Sequence, residues 1–496
     1  MKMIKRIIVV ACLLFAGVQG INAQQLLTLD NCRSMALQNN KALQQSRAKQ
    51  DVAHYTHSAA TTNYLPKVSL TAGYILSGKE VSILSDNQKN ALNNMGTNLS
   101  GTLTQSMQQI IARYPEFSNL LPVLQGPLQS ASEALNQFGA TVTDAFRTDT
   151  RNMAAGAILL KQPLYMGGKI RAYDKITRYN EDLSTLQTRT DEQETILEVD
   201  QAYWQVVSLS HRKKLAESYL ATLQRLDNDV NKLLAEGFAT RADELQVSVK
   251  LNEAEMLLAK VDDGLVLSRM LLCQLCGLSM DEEVLLQEEL SEEIPVTPQT
   301  DSNADVNLAY AYRPEVSMLE TANQIYSEKV RLVRSDFLPH LAFVGGYTMS
   351  YPSVYNSFEK KVRGDWHVGL MLSVPIWNWG EGRYKVRATQ AEQRINALKL
   401  EDVREKINLQ VSQSKFRVTE AYKKLTLATK SQSKAQENLR IATLGYQEGV
   451  IPVSDVLLAE TAWLEAHSNK IDAEIEILLA KTHLEKSLGI LNNHGK

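Results

Sequence analysis

The stretch Ser373-Val-Pro-Ile-Trp-Asn-Trp-Gly-Glu-Gly-Arg383 decides how the chain is read. Upstream, Trp366, Val368, Leu370, Leu372 and Val374 alternate with His367, Gly369, Met371 and Ser373. That period of two is the mark of a strand with one apolar face. Downstream, residues 382–447 are charged and free of proline, which predicts one very long helix. Pro375 has no backbone N–H and suits the point where ladder pairing stops. The segment is therefore a strand-to-helix junction. It has an earlier counterpart, Leu160-Lys-Gln-Pro-Leu-Tyr-Met-Gly-Gly-Lys-Ile-Arg171, in which Pro163, Gly168 and Arg171 match Pro375, Gly380 and Arg383 at one offset.

Working outward, Pro66/Pro339 and Tyr74/Tyr347 share another offset, and Glu236/Glu448, Gly237/Gly449, Asp243/Asp455 and Gly277/Gly489 share that of the junctions. The chain is an internal duplication. The fold class is α+β, mainly α, with two structural repeats of helix, strand, strand, long helix and shorter helix. The first repeat, 24–278, has a helix over 30–64, strands at about 67–77 and 151–161, and helices over 168–236 and 240–277. The second, 305–490, has strands at about 340–351 and 364–374 and helices over 382–447 and 453–488. Residues 279–304, acidic and holding Pro295 and Pro298, read as a linker, and 491–496 as a tail. Residues 78–150 are rich in Asn, Gln, Ser and Thr, with Pro115, Pro122, Gly126 and Pro127. They read as a large surface loop with some short helix.

The 496 residues are 44% hydrophobic with a net charge of -3, which gives no reason to expect nucleic acid. Lys2, Lys5 and Arg6 precede an apolar run over 7–18, so residues 1–23 read as a secretory signal peptide too short to span a membrane. Cys32, Cys273 and Cys276 are too few for a disulfide scaffold and read as small packing residues. No nucleophile elbow, phosphate loop or histidine cluster is visible, which argues against an enzyme and against a metal or cofactor. His54 and His57 have a metal-like spacing on a helix, lack acidic company in the sequence, and read as surface residues.

A helix over 168–236 is about 100 Å long, far more than a globular core needs. Ala216, Tyr219, Leu223, Leu226, Val230 and Leu233 recur at spacings of three and four, a coiled-coil seam. Gly237 stands where a helix end wants positive φ, so each long helix turns and returns as a shorter one. The strands match the height of a tilted transmembrane barrel strand. Four strands cannot close, and an open edge cannot face lipid. Several chains must therefore pool their strands; three, a homotrimer, would give a twelve-stranded β-barrel, continued by the helices as an α-helical tunnel outside the bilayer, which the resemblance below makes periplasmic. Tyr165, Trp377 and Trp379 at the junctions, with Tyr351 and Tyr355 toward the other end, supply two aromatic girdles. Ser69, Thr71, Gly73, His367, Gly369 and Ser373 suit a watery lumen. Strand polarity puts residues 78–150 outside the cell.

Several motifs, in this order and spacing, resemble the TolC-like outer membrane efflux protein family. They are Tyr64-Leu-Pro-Lys67 with Leu338-Pro-His-Leu341, the junction prolines Pro66, Pro163, Pro339 and Pro375, Tyr312-Arg-Pro-Glu315, and Gly445-Tyr-Gln-Glu-Gly449 with Asp455-Val-Leu457. The resemblance implies a trimeric channel-tunnel in the outer membrane of a Gram-negative bacterium. It implies the passive exit duct of a tripartite efflux or type I secretion system. The partners it implies are a periplasmic adaptor (membrane fusion) protein and an inner-membrane RND, ABC or MFS pump. Its gate residues fall at Asp455 and Asp243, with Tyr446 in the links that hold the mouth shut. Two positions depart from the best-known member: Ile451 replaces a basic latch residue, and Leu458 replaces a second constriction aspartate. The tips Glu236-Gly237-Phe238 and Glu448-Gly449-Val450 are the expected adaptor-docking points. Competing readings make the two aspartates first-turn helix charges, or the chain a periplasmic coiled-coil adaptor or scaffold without its own pore.

Overall fold

The computed structural model describes residues 25–78, 81–115, 120–148, 151–298, 305–354 and 360–491. The elements run β1 (Gln25–Leu27), α1 (Leu29–Asn39), α2 (Lys41–Thr61), β2 (Lys67–Leu76), β3 (Val81–Ser82), α3 (Asp86–Asn93), α4 (Met95–Arg113), α5 (Leu120–Ala145), β4 (Arg147–Thr148) and β5 (Asn152–Met166). They continue with α6 (Lys169–Ala235), α7 (Arg241–Cys276), β6 (Val284–Leu286), α8 (Val306–Tyr312), α9 (Pro314–Ser335), β7 (His340–Tyr351), β8 (Arg363–Ser373), α10 (Glu381–Gln447) and α11 (Val453–Leu488). The expected signal peptide, Tyr355 and residues 492–496 lie outside the described residues. Among the helices of the described residues, none is long and apolar enough to cross a membrane. Contacts divide the chain into a strand unit, Thr61–Ile170 with Ser335–Asn378, and a helical unit made of the remainder.

In the strand unit, four strands form an antiparallel sheet in the order β2-β5-β7-β8. Every residue of β2 and nearly every residue of β8 is exposed on both faces, as befits edge strands paired on one side only. Pro66 and Pro339 stand immediately before β2 and β7, and Pro375 two residues after β8, where no ladder donor is needed. Pro163 behaves differently. β5 runs through it to Met166, with Pro163 opposite Ala342 and a register shift between Pro163 and Tyr165. A local irregularity of this kind accommodates the missing donor, so proline shifts the register without stopping the strand.

The insert is largely helical, which corrects the expectation of a loop. α3 starts from a capping box in which Gln88 N–H donates to Ser85 Oγ at 3.3 Å and Ser85 N–H donates to Gln88 Oε1 at 2.9 Å. Pro122 lies in the first turn of α5, where its missing N–H has no helical acceptor to serve. The many hydroxyls that suggest loop donate back along the helices, as Thr102 does to the Asn98 carbonyl at 2.8 Å and Thr141 to that of Gln137 at 2.8 Å. Pro127 sits inside α5 and is tolerated there.

In the helical unit, the helix expected over 30–64 breaks at Asn40. Asn40 Oδ1 caps α2 by accepting from the N–H groups of Ala42 (2.9 Å) and Leu43 (3.3 Å). Residues 279–304 are more than a linker. β6 pairs in parallel with β1, Gln25 opposite Val284, and Leu286 and Glu289 are buried. Tyr203 of α6 donates its hydroxyl to the Glu288 carboxylate, and Arg269 of α7 pairs with Glu289. The core of this region gathers Tyr203, Val206, Val207, Leu272 and Cys276 with Cys32 of α1. All three described cysteines are buried packing residues.

Asp200 of α6 is fully buried in this region. Its carboxylate accepts from Arg33 of α1 through both Nε (2.7 Å) and Nη2 (2.6 Å), and from the Thr482 hydroxyl of α11 at 3.1 Å. One buried charge thus ties together three helices that are far apart in sequence. The paired fork satisfies it. Arg33→Ala leaves the carboxylate buried without its counter-charge. The expected loss is about 3–5 kcal/mol, read as a large fall in the melting midpoint of the purified protein, with Arg33→Ala/Asp200→Leu recovering much of it. An unchanged midpoint in the single variant would show that water reaches Asp200.

Candidate gate at the helix tips

The far ends of the helical unit are two hairpin tips, α6 to α7 and α10 to α11. Both use the same turn. Gly237 (φ 81) and Gly449 (φ 73) adopt the left-handed conformation that side chains avoid. Phe238 N–H donates to the Leu233 carbonyl at 2.8 Å, and Val450 N–H to that of Gly445 at 2.8 Å. With the glycine N–H groups bonded to Leu234 (3.1 Å) and Tyr446 (3.0 Å), each helix closes in a Schellman turn. The next residues stand out into solvent: Phe238 is 81% exposed and Val450 79%. Glu236 and Glu448 precede the glycines and are also exposed.

The equivalent aspartates do different work. Asp243 completes a capping box with Thr240. Its Oδ2 accepts from the Thr240 N–H (2.9 Å) and hydroxyl (2.7 Å), while its own N–H donates to Thr240 Oγ1 at 3.2 Å. These bonds hold its carboxyl below the usual carboxylate range. Asp455 occupies the same helical position, but the N-cap there is Pro452, which has no hydroxyl. Among the described residues the Asp455 carboxylate has no hydrogen bond or ion pair, and it is exposed. Both aspartates thus stand in a first turn, and only Asp243 is engaged in a cap there.

Leu458, one turn on, is 69% exposed and shares a shallow apolar groove with Leu245, Val249 and Leu457. Tyr446 is half-buried and packs against Ala442, Val456 and Ala459. Burial first, then the charges of Asp243 and Asp229, pushes its phenol upward. Tyr446 and Asp243 line one cleft, without a hydrogen bond between them among the described residues.

That cleft contains a residue the sequence reading passed over. Glu460 is 2% exposed, and its Oε2 has no hydrogen-bond partner. Burial pushes its carboxyl up to about 7, against a smaller pull downward from Arg225. The readable signal was a carboxylate on the apolar face formed by Val453, Val456 and Leu457. Away from the tips, His54 and His57 do have acidic company. Their Nδ1 atoms each lie 2.7 Å from a different oxygen of Glu181, and His57 Nε2 is 3.5 Å from Asp174. The partners come from α6, more than a hundred residues away, so spacing within one helix gave no sign of them. Among the described residues no group of three or more such side chains fits a metal ion.

Comparison with known proteins agrees with this architecture. The sequence model described as outer membrane efflux protein matches residues 118–278 and 306–490, most of both repeats. The chain is 24% identical over 371 residues to the alkaline protease secretion protein AprF of Pseudomonas aeruginosa, covering 71% of this chain and 75% of that protein. The fold is similar to that of the outer-membrane channel OprN, with TM-score 0.70, 16% identity, and 93% of this chain and 89% of that one covered. It is also similar to the CmeC outer membrane channel of Campylobacter jejuni, with TM-score 0.69, 14% identity, and 93% and 86% covered. With both repeats matched, this chain belongs to the outer membrane efflux protein family.

Proposed function

We propose that this outer-membrane channel-tunnel works as a homotrimeric, passive exit duct whose periplasmic mouth is opened and closed by the tips at Gly237 and Gly449. The observation that carries the reading is the sheet β2-β5-β7-β8, which ends in two unpaired edge strands. Such edges are excluded from lipid, so copies of the chain must close them against one another. Three copies give a twelve-stranded barrel. Its native mass in detergent is therefore expected to be that of three chains, and a stable monomer would sink the architecture.

The exposed Phe238 and Val450 suit docking of a periplasmic adaptor protein, coupled to an inner-membrane pump of the RND, ABC or MFS type. The energy comes from the pump. The relative AprF is named for protease secretion and the matching family for efflux, so the reading covers both secretion and efflux.

At the mouth, the free carboxylate of Asp455 is suited to face the axis, where three copies make an acidic ring that attracts cations. Leu458 adds an apolar collar one turn away. Asp243 acts instead through its cap, worth about 1 kcal/mol to its helix. Single-channel recording in planar bilayers separates the two. Asp455→Ala is expected to weaken cation preference and divalent block. Asp243→Ala is expected to destabilise the tip and leave selectivity intact. Unchanged selectivity and block in Asp455→Ala would remove the ring.

Glu460 adds a pH dependence whose sign follows from its raised carboxyl. Folded, it stays neutral up to about 7; unfolded, it ionises in the ordinary carboxylate range. Packing of the tips is thus at full strength in acid, and weakens as pH rises through about 7. The melting midpoint should fall between about pH 5 and about pH 8, and Glu460→Gln should flatten that fall. An identical pH profile in the variant would show that the carboxyl is hydrated.

A further inference from the structure

The helices of the insert between β2 and β5 meet closely through small and polar residues. α5 meets α3 and α4 through Ser132, Asn136, Gly139 and Thr143. A Cβ on Gly139 would lie 1.9 Å from the Leu92 carbonyl oxygen, and one on Gly96 2.0 Å from that of Ser132, so the helices cross in near backbone contact. Asn136 Oδ1 accepts from the Gly96 N–H at 2.8 Å and the Thr97 N–H at 3.2 Å, and its amide donates to the Thr97 hydroxyl at 2.7 Å. Thr143 donates to Asn93 Oδ1 at 3.0 Å. Hydrogen bonds and glycine contacts therefore hold these helices together.

Part of the insert's apolar surface lies outside these contacts. On α5, Leu124, Leu128, Ala131, Leu135 and Phe138 follow spacings of four, three, four and three, a coiled-coil seam. Leu124 is 38% exposed and Phe138 61%, while Leu128 and Leu135 between them are half-buried. On α4, Leu99, Leu103 and Ile110 share a second face and are 49%, 44% and 53% exposed. Neither face contains a charged residue at these positions. Apolar surface of this kind, with Leu99, Leu103, Ile110, Leu124 and Phe138 open to water, marks an interaction surface.

The occupant follows from how the insert is attached. β3 pairs with β4, Val81 opposite Thr148, extending the β2–β5 hairpin into the insert. β2 is an edge of the sheet. A second copy that pairs with β2 therefore brings its own insert alongside. A closed ring of three has head-to-tail contacts, which need two different complementary faces on each chain. The insert has two, on different helices.

We propose that α4 of one chain packs against the α5 seam of the next, so that three inserts close into a helical cap over the outer end of the barrel. This rests on the homotrimer proposed above. The test uses full-length protein in intact cells with Leu103→Cys and Ala131→Cys combined, treated with an oxidant. The expected result is a shift from monomer to covalent dimer and trimer bands on a denaturing gel, reversed by reductant. Gln109→Cys with Glu133→Cys, off the two seams, should stay monomeric on the same gel. Monomer bands alone from the seam pair, in protein whose native mass is still trimeric, would overturn the cap and leave the trimer standing. Equal ladders from both pairs would mean random collision and would overturn it too. A monomeric native mass would overturn the trimer reading and the cap with it.

Discussion

Backbone N–H and C=O groups have no partner in hydrocarbon, and each one left unpaired there costs several kcal/mol. The sheet β2-β5-β7-β8 has two edges on which such groups stand in rows. Within one chain β5 and β7, flanked on both sides, are partly covered, while β2 and β8, flanked on one, are exposed along nearly their whole length. The edge strands are complete as strands and incomplete as surfaces. In the homotrimer proposed above, other copies supply those surroundings, and in the proposed cap they also cover the apolar faces on the insert that β2 leads into.

The helical unit solves a different problem, that of keeping helices of 67 residues in register. Its middle is fastened by charge. Asp200 joins α1, α6 and α11, and the segment around Glu289 is clamped between α6 and α7. Its ends are fastened more lightly. The tips rest on glycine turns, one capping box and apolar contacts, with Glu460 buried among them and its Oε2 without a hydrogen-bond partner. Firm at the middle and lightly held at the tips is the distribution that the proposed opening of the tips requires.

Duplication makes the two tips comparable residue by residue, and the comparison locates where they diverge. Thr240 and Pro452 are equivalent N-caps. A hydroxyl at the first engages Asp243 in a reciprocal pair of hydrogen bonds, and a proline ring at the second leaves Asp455 unengaged. One substitution at a cap thus changes what an aspartate three residues later is able to do.

Much of this was determined by local sequence. The duplication, the alternating strands, the seams around Leu223 and Val247 and the glycine turns are all periodic or local signals, and they surface in the structure as β2, β5, β7, β8 and the helix hairpins. Proline and hydroxyl-rich composition misled where a local rule has two outcomes. Pro163 shifts the register of β5 without ending it, and the insert's hydroxyls bond back to their own helices. Tertiary structure alone decided the pairings that span long stretches of chain: β1 with β6, Arg33 with Asp200, His54 and His57 with Glu181, and the burial of Glu460. The physical reason is separation. Periodicity reports which face of an element is covered, but the group that covers it comes from elsewhere in the chain, and only packing brings the two together.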